Sequence, residues 1–286
     1  MKAQVISVAA EDFSRVHSAL LCKLDDRIPI HRWRRIFEWG WTNPEDHVGF
    51  ALEAPDGRLV GFIATVYSLQ AFGSAVLPVC NLSSWIVEPG YRSSALSLVM
   101  PVLRRRDLTV TNLTSLPEVN ALFRKLGFRT LETHCRIIFP VPRPGLPKNV
   151  ECQRLEPSAP GAKIDQQVLT RASDHSLAGE QWILGCDGGR CHIVLTWGRR
   201  RRLKTARIHH LDDPEVFAAA VGTLHRRLFR EHGAILMECD DRLVAGVKIP
   251  GSKRIRLPVS RIFRSSKLEA HQLTNLYSEL LLLNLH

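Results

Sequence analysis

The chain has 286 residues, of which 45% are hydrophobic and 23% charged, as is typical of a globular protein with one large or two smaller domains. No apolar run reaches the roughly 18–20 residues of a membrane span, and residues 1–5 lack the form of a signal peptide, so a cytoplasmic protein is predicted. The net charge of +11 arises from dispersed basic residues without interleaved aromatic residues. Only the charge suggests a nucleic-acid partner, and none is expected. A phosphate-bearing ligand, an acidic substrate or a simple need for solubility would explain the positive charge as well.

Residues 1–141 predict an alternation of short strands and helices. Apolar residues at helical spacing favour two helices near the N-terminus, and a Pro-Asp-Gly turn at 55–57 separates two strands. Pro117 and Gly127 are typical of the first turn and the end of a helix. In chain order we predict strand 4–8, helices 11–22 and 30–40, strands 48–53, 59–67 and 77–87, helix 93–105, strand 108–114, helix 117–126, and two short strands or one bent strand over 128–141.

A proline-rich segment marks the clearest boundary in the chain. Residues 140–161 contain six prolines, a composition typical of linkers between domains. We therefore predict a first domain over 1–141, a linker over 142–162 and a second domain over 163–286.

The second half predicts part of the same element order. Asp213 and Pro214 are typical of the cap and first position of a helix. The segment 276–283 fits either a buried strand or a helix. The other elements are a hairpin of strands 191–197 and 203–210, a helix from Pro214, and a strand over 234–238. Strand, strand, helix and strand repeat the order over 59–113, which indicates a degenerate second copy of one fold.

One strand-to-helix junction carries a functional signal. Residues 85–97 read W-I-V-E-P-G-Y-R-S-S-A-L-S, in which a strand is followed by an arginine and small residues at a helix start. Unpaired N–H groups and a partial positive charge at a helix N-terminus favour a phosphate group. Small side chains allow the close approach, and Arg92 adds a positive charge. The stretch therefore fits a pyrophosphate seat, although an ordinary turn with capping serines has the same pattern.

Two segments resemble motifs of the GNAT acyltransferase superfamily. The family's acyl-CoA motif is Val-x-Pro-x-x-Arg/Gln-x-x-Gly-x-Gly/Ala, and here Val87, Pro89 and Arg92 match, with Ala95 and Ser97 at the glycine positions. Residues 120–128, N-A-L-F-R-K-L-G-F, are similar to the family's Asn-x-x-Ala-x-x-Leu-Tyr-x-Lys-Leu-Gly-Phe signature. The resemblance covers about half of the chain, and the element order over 1–140 agrees with it.

The resemblance implies an α+β fold with a mixed, mostly antiparallel central sheet flanked by helices, and a second degenerate half. It further implies acetyl-CoA or another acyl-CoA as co-substrate and a small-molecule acceptor. Backbone groups of residues 85–87 would hold the pantetheine arm, and backbone N–H groups of residues 92–97 the pyrophosphate. The cofactor-binding residues so implied are Ile86, Val87, Arg92, Ser93, Ser94, Ala95, Leu96, Ser97, Asn120 and Phe123.

Four residues depart from the family pattern. Ser97 replaces a glycine or alanine and is small enough for that position. Ala95 replaces a glycine, which is tolerated where φ is negative, and Pro101 is expected to kink the predicted helix. Phe123 stands where many members have a tyrosine that protonates the leaving thiolate, and phenylalanine has no proton to give. The thiolate then leaves unaided or another group acts.

Several other side chains are candidates for acid or base chemistry by their position in the chain. Tyr67, Ser83, Ser84 and His134 are candidate acids, and Glu53 and Glu88 candidate bases; a structural or solvated role is the alternative for each. Trp33, Trp39 and Trp41 fit either an aromatic acceptor wall or core packing.

No metal site is predicted. The seven cysteines include no C-x-x-C pair, and the cluster of Cys186, Cys191 and His192 has the spacing of no common zinc site. The aspartates after His209 and His210 are explained by helix capping, and neighbouring strand residues point to opposite faces. Free thiols are expected.

The sequence thus predicts an acyltransferase that moves an acetyl or other acyl group from CoA to an amine or hydroxyl. The alternative is a non-catalytic module of the same fold that binds CoA or a metabolite, or serves assembly; Phe123 and Ala95 favour this alternative. The two aspartates at 212–213 replace the arginine and small residues of the first junction, so the second half is expected to bind no CoA. Acceptor, acyl length and oligomeric state are left open.

Overall fold

The computed structural model describes residues 3–140, 150–155 and 166–285, with the side chains of 166 and 167 outside the description. The chain divides into two compact units. The first contains Met1–Leu131, Arg261–Leu273 and Tyr277–Leu285, and the second Glu132–Ser260, Thr274–Leu276 and His286. Most of the predicted linker, 142–149 and 156–162, lies outside the described residues.

The first unit contains short helices and one sheet. The strands are β1 (Gln4–Val8), β2 (Gly49–Glu53), β3 (Leu59–Phe72), β4 (Ala75–Val87), β5 (Thr109–Asn112) and the end of β12 (Ser252–Arg264). The helices are α1 (Phe13–Val16), α2 (Cys22–Leu24), α3 (Ile30–Trp33), α4 (Met100–Leu103), α5 (Pro117–Lys125) and α8 (Glu279–Leu282). A π-helical stretch, His17–Leu21, joins α1 to α2, and 3₁₀ helices cover Ala10–Asp12, Arg34–Ile36, Pro89–Leu98 and Ala270–Gln272.

Antiparallel pairing dominates the sheet of the first unit. Its strand order is β1-β2-β3-β4-β5-β12. Every neighbouring pair is antiparallel except β4 and β5, which run parallel. Two separate apolar clusters pack on the sheet. One includes Leu98, Val102 and Phe123, and the other includes Leu113, Phe263 and Leu280.

The second unit has a sheet of its own. Its further elements are β6 (Arg129–Ile138, which begins in the first unit), β7 (Val150–Arg154), α6 (Gln166–Asp174), β8 (Glu180–Cys186), β9 (Gly189–Arg200), β10 (Leu203–Leu211), α7 (Pro214–His232), β11 (Leu236–Asp240) and the 3₁₀ helix Asp241–Val244. The strand order is β7-β8-β9-β10-β11-β6. Phe217, Leu224 and Leu228 of α7 pack in its main apolar cluster. Within the described ranges, every helix of the chain is too short or too polar to span a lipid bilayer.

The two sheets repeat one pairing scheme. In each, three antiparallel pairs are followed by one parallel pair and then one antiparallel pair. The degenerate second copy predicted from the sequence is therefore present as a fold, with a mostly antiparallel sheet and flanking helices in each unit.

The sixth strand of each sheet comes from the other half of the chain. Residues 262–264 of β12 pair with β5, and residues 135–138 of β6 pair with β11. The unit boundaries consequently differ from the predicted domains 1–141 and 163–286, because residues 261–273 and 277–285 belong to the first unit. Proline density marks where a chain is extended, but it carries no information about strand partners.

Several predicted elements differ in extent from the observed ones. The predicted helix 93–105 is a 3₁₀ helix over Pro89–Leu98 followed by the short α4. The predicted helix 30–40 ends at residue 36. Residues 150–154 of the predicted linker form β7, and the segment 276–283, left open between strand and helix, contains α8.

The exchange of strands predicts that a chain ending at residue 251 cannot complete the first unit. Without β12, β5 loses its antiparallel partner, so its amides lose protection. Hydrogen–deuterium exchange over 109–112 measures this, and a peptide of residues 252–286 added in trans should restore protection. Undiminished protection of β5 in the truncated chain would contradict the assignment.

Candidate functional site

The candidate site of the first unit lies where β4 and β5 separate. The parallel pairing joins Val79–Asn81 to Thr109–Thr111, whereas β4 continues against β3 as far as Val87. Residues 82–87 therefore extend along β4 beyond the β5 pairing. Backbone groups along such an unpaired edge can hydrogen-bond to an extended ligand.

A β-bulge shapes this part of β4. The pairing register with β3 shifts between Phe62 and Ala64, and Ser84 has a φ of 53°. This left-handed conformation costs a non-glycine residue about 1–2 kcal/mol. Bulges redirect the strand next to many binding sites, and here the bulge comes directly before residues 85–87. Of the predicted candidates, Ser83 and Ser84 lie at this point, with their hydroxyl oxygens 3.1 Å apart.

The segment expected to hold a pyrophosphate is a 3₁₀ helix. In such a helix each N–H group donates to the carbonyl three residues before it, as Tyr91 does to Glu88 at 2.9 Å and Val99 to Leu96 at 3.2 Å. The N–H groups of residues 92–97 are thereby engaged within the helix. This differs from the predicted seat, in which the same groups point outward at the N-terminus of an α-helix.

Pro101 explains why the α-helix begins late. In an α-helix the ring of a proline clashes with the carbonyl four residues before it, so α-helical geometry cannot run from Ser97 through Pro101. Proline is tolerated in the first turn, where Pro101 stands in α4. The kink predicted from this proline is thus a change from 3₁₀ to α-helical geometry.

The side chains of the 3₁₀ segment leave it open to a ligand. Arg92 is exposed and makes no ion pair with any residue in the described ranges. Ser93 and Leu96 are exposed, and Ser94, Ala95 and Ser97 are partly exposed. Ser97 donates its hydroxyl to the Ser94 carbonyl at 2.6 Å. An exposed cation and small neighbours are therefore available beside the β4 end.

Phe123 belongs to an aromatic cluster in the core. It is 0% exposed, with its ring centroid 5.6 Å from Trp85 and 4.7 Å from Phe128. The ring thus packs against a residue of the extended β4 segment. Asn120 is also buried; its amide donates to the Ser115 hydroxyl at 3.1 Å. Both residues support the site from α5 rather than presenting a proton donor.

A buried carboxyl group is hydrogen-bonded close to the end of the β4–β5 pairing. Glu279 of α8 is 0% exposed, and its Oε1 accepts a hydrogen bond from the Thr114 hydroxyl at 2.8 Å. Asn81, the last β4 residue paired with β5, accepts from the Glu279 backbone N–H at 3.2 Å and donates to the Thr111 hydroxyl at 3.1 Å. Glu279 is thereby fixed at the point of separation.

Several buried polar atoms of the first unit have no hydrogen-bond partner within the described part of the chain. Glu279 Oε2, Trp85 Nε1 and Asn112 Oδ1 are buried and have no hydrogen-bond partner among the described residues. Buried polar atoms are rarely left unpaired, and an exception commonly marks a functional group or a missing ligand. Burial raises the pKa of Glu279 to about 7, which allows this carboxyl to exchange a proton near neutral pH.

The C-terminal segment is held by aromatic contacts. Tyr277 packs edge-to-face on Trp41 with a centroid distance of 5.0 Å, and Trp39 stacks on Trp41 at 5.7 Å. Trp41 is buried and donates its indole N–H to the Tyr67 carbonyl at 2.8 Å. Trp33 is buried as well, so core packing, one of the two predicted roles, describes Trp33 and Trp41.

The other predicted acids and bases lie elsewhere. Tyr67 is buried on the paired part of β3, where burial raises the pKa of its hydroxyl. Glu88 lies 3.7 Å from Lys23 and 3.8 Å from Arg58, as a partly exposed carboxylate among cations. Glu53 is paired with Arg15. His134 is part of β6 in the second unit, with Nδ1 2.7 Å from the Thr133 hydroxyl.

Comparison with known proteins identifies the fold. No protein-family model matches the sequence, and no curated protein matches it either. Among solved structures, a conserved protein of Enterococcus faecalis V583 has a TM-score of 0.56 at 11% identity, covering 94% of this chain and 74% of its own. A GCN5-related N-acetyltransferase from Anabaena variabilis gives 0.55 at 12% identity, with 92% and 72% covered. One from Kribbella flavida gives 0.55 at 13% identity, with 92% and 71% covered.

The chain therefore has the fold of the GCN5-related N-acetyltransferases, as the two motifs indicated. The similarity extends over more than nine-tenths of the chain, so it includes both units.

Titration of Glu279 should make stability depend on pH. Its folded-state pKa of about 7 lies above the ordinary value of 4.5, so this group binds more protons in the folded state between these values, and its contribution to stability falls as pH rises through this window. The loss is on the order of 3 kcal/mol. Buried histidines with lowered pKa values have the opposite effect on stability in this window, and they are common to the wild type and Glu279→Gln. The difference in unfolding free energy between these two chains should therefore show the decline, as measured by urea unfolding from pH 4.5 to 8.

The exposed Glu11→Gln provides the matched control and should retain the pH profile of the wild type. An identical pH profile in the wild type and Glu279→Gln would show that Glu279 titrates normally in the folded protein.

Proposed function

We propose that the protein transfers an acyl group, most simply acetyl, from CoA to an amine or hydroxyl of a small molecule. The observation that carries this proposal is the separation of the parallel strands β4 and β5, with its bulge and its extended strand edge. Arg92 on one side and Glu279 on the other supply the two charged groups that the reaction needs.

The CoA would bind along β4 and the segment that follows it. The pantetheine amides would pair with backbone groups of residues 85–87, and the pyrophosphate would lie next to Arg92. Because 3₁₀ hydrogen bonds are weaker than α-helical ones, the N–H groups of 92–97 can be released to a phosphate that offers stronger, charge-assisted bonds. Binding would then reorganise the 3₁₀ helix. The neighbouring cofactor residues Ile86, Val87, Ser93, Ser94, Ala95, Leu96 and Ser97 line this path.

Glu279 would act as general base. The acceptor's nitrogen or oxygen forms a bond to the thioester carbon, its proton passes to Glu279 Oε2, and the carbon–sulfur bond breaks as CoA leaves. Holding the two reactants together and polarising the carbonyl with strand N–H groups lower the barrier. Since Glu279 has no exposed surface, the acceptor would reach it only after a conformational change.

The thiolate would leave without a protein acid at residue 123. Phe123 lies in a closed aromatic cluster, so no hydroxyl is available there, and a thiol with a pKa of about 8–9 is a tolerable leaving group at neutral pH. This distinguishes the protein from family members with a tyrosine at the matching position.

A CoA-binding protein without catalysis is the second candidate. The engaged N–H groups of the 3₁₀ helix and the buried Phe123 favour it. The two candidates agree on the CoA site and differ on whether Glu279 performs chemistry, so binding and turnover are tested separately.

Arg92→Glu should weaken acetyl-CoA binding about 10- to 100-fold, the scale of a hydrogen bond to a charged group. Isothermal titration calorimetry measures the change. Arg104→Glu, an exposed site at the end of α4, makes the same charge change and should leave the affinity nearly unaltered. An unchanged affinity in Arg92→Glu, or no binding to the wild type, would refute the site.

Glu279→Gln should lower kcat by about 10²- to 10⁴-fold, the usual contribution of a general base, with the affinity for acetyl-CoA retained. The release of free thiol with a panel of amine and hydroxyl acceptors provides the assay. Glu88→Gln is the matched control and should keep full activity. Binding of CoA without turnover for any acceptor would instead support the non-catalytic candidate.

A further inference from the structure

A group of polar side chains in the second unit lies at the counterpart of the first unit's site. β10 pairs in parallel with β11 over 205–208, and its register with β9 shifts directly afterwards, between Ile208 and His210. β4 has the same sequence of features, a parallel pairing followed by a bulge. Residues 210–212 therefore occupy the place that residues 85–87 have in β4, immediately before α7.

His192 presents an unprotonated nitrogen at this place. It is 1% exposed, and its Nε2 lies 2.9 Å from Gln181 Oε1. Gln181 donates its Nε2 to the Ala172 carbonyl at 2.8 Å, which fixes Oε1 as the acceptor. His192 Nε2 therefore carries the proton and Nδ1 a lone pair. Nδ1 is buried and has no hydrogen-bond partner among the described residues.

His210 and Asp212 supply a second lone pair and a carboxylate close to His192. Arg171 donates to His210 Nε2 at 2.6 Å, and since arginine only donates, that nitrogen is unprotonated. Asp212 accepts the His192 backbone N–H with Oδ1 at 2.7 Å, while its Oδ2 lies 3.9 Å from Arg171. One ligand atom each from His192, His210 and Asp212 lie within 4.8 Å of one another.

We propose that His192, His210 and Asp212 bind a divalent transition-metal ion, with Zn²⁺ as the ion to test. Two neutral imidazoles and a carboxylate form a three-ligand set that leaves a fourth position for water or a ligand, the arrangement of reactive rather than structural zinc sites. Ligands at 2.0–2.2 Å around a tetrahedral ion are about 3.3 Å apart, so modest inward movement closes the site.

The surroundings support this assignment. Gln181 orients His192 from behind, as outer-shell partners of metal-bound histidines do. Arg171 places its guanidinium on His210 and near Asp212, where it competes with a metal ion for the same lone pair.

This proposal departs from the absence of a metal site that the sequence led us to expect. Capping explains Asp213, which accepts from the N–H groups of Glu215 and Val216. It does not account for Asp212, which accepts the His192 backbone N–H instead. The bulge before His210 shifts the strict alternation of side chains that was assumed for neighbouring histidines. His192 comes from a different strand, so no linear spacing relates the three ligands.

Calorimetric titration of the metal-free full chain with Zn²⁺ alone tests the proposal, with Co²⁺ visible absorption as a second readout. One ion per chain is expected. His192→Gln, His210→Gln and the isosteric Asp212→Asn should each abolish the site, and Gln181→Met should weaken it by about 10- to 100-fold. Arg171→Met should raise the affinity, because it removes the competing cation.

His31→Gln, which removes an exposed imidazole, is the control and should bind like the wild type. Thermal unfolding without metal confirms that each variant is folded; Asp212→Asn retains the acceptor for the His192 N–H and so decides the matter if a histidine variant unfolds. Failure of the wild type to bind Zn²⁺, or unchanged binding in Asp212→Asn, would overturn the proposal. The result does not depend on the acyltransferase proposal.

Discussion

Each of the two sheets needs a strand that the other half of the chain provides, and the candidate site depends on this exchange. To complete the first sheet, the chain must return to it as β12 after the second unit has been built. Most of the residues that follow β12 belong to the first unit, including 277–285. Glu279 reaches Asn81 and Thr114 by this route. A single strand swap thus places a buried carboxyl group beside the separation of β4 and β5.

The elements that were predicted well are those whose signals lie within a few residues of the chain. The cap of α7 by Asp213, the hairpin of β9 and β10, and α5 between Pro117 and Gly127 follow from turn and cap chemistry within a few residues. β12 and α8 were missed or left open, since their identity depends on partners more than 100 residues away. The 3₁₀ helix over 89–98 was missed because the effect of Pro101 on the preceding turn was treated as a kink rather than a change of helix type.

The residues of the candidate site also fall into two groups, those with a local sequence signal and those brought together by the fold. The end of β4 and Arg92 lie in one continuous segment, so a sequence motif predicts them together. Glu279 has no local sequence signal, because the leucines that follow it are typical of any protein core. Its raised pKa arises from burial by elements that are distant in sequence. The same holds for His192 and Asp212, which a strand pairing brings together. Sequence patterns identify groups that work as one segment, while groups assembled by topology require the sheet order.

The order of the strands along the chain also determines when each sheet can be completed during translation. β5 ends at Asn112, but its outer neighbour is made only with residues 262–264. At 5–20 residues per second, the ribosome needs roughly 8–30 s to cover that interval. During this time the nascent first unit carries an incomplete sheet whose open edge can pair with another chain. A protein built this way gains from chaperones that shield a growing polypeptide, and its yield should depend on the speed of translation as much as on the stability of the finished fold.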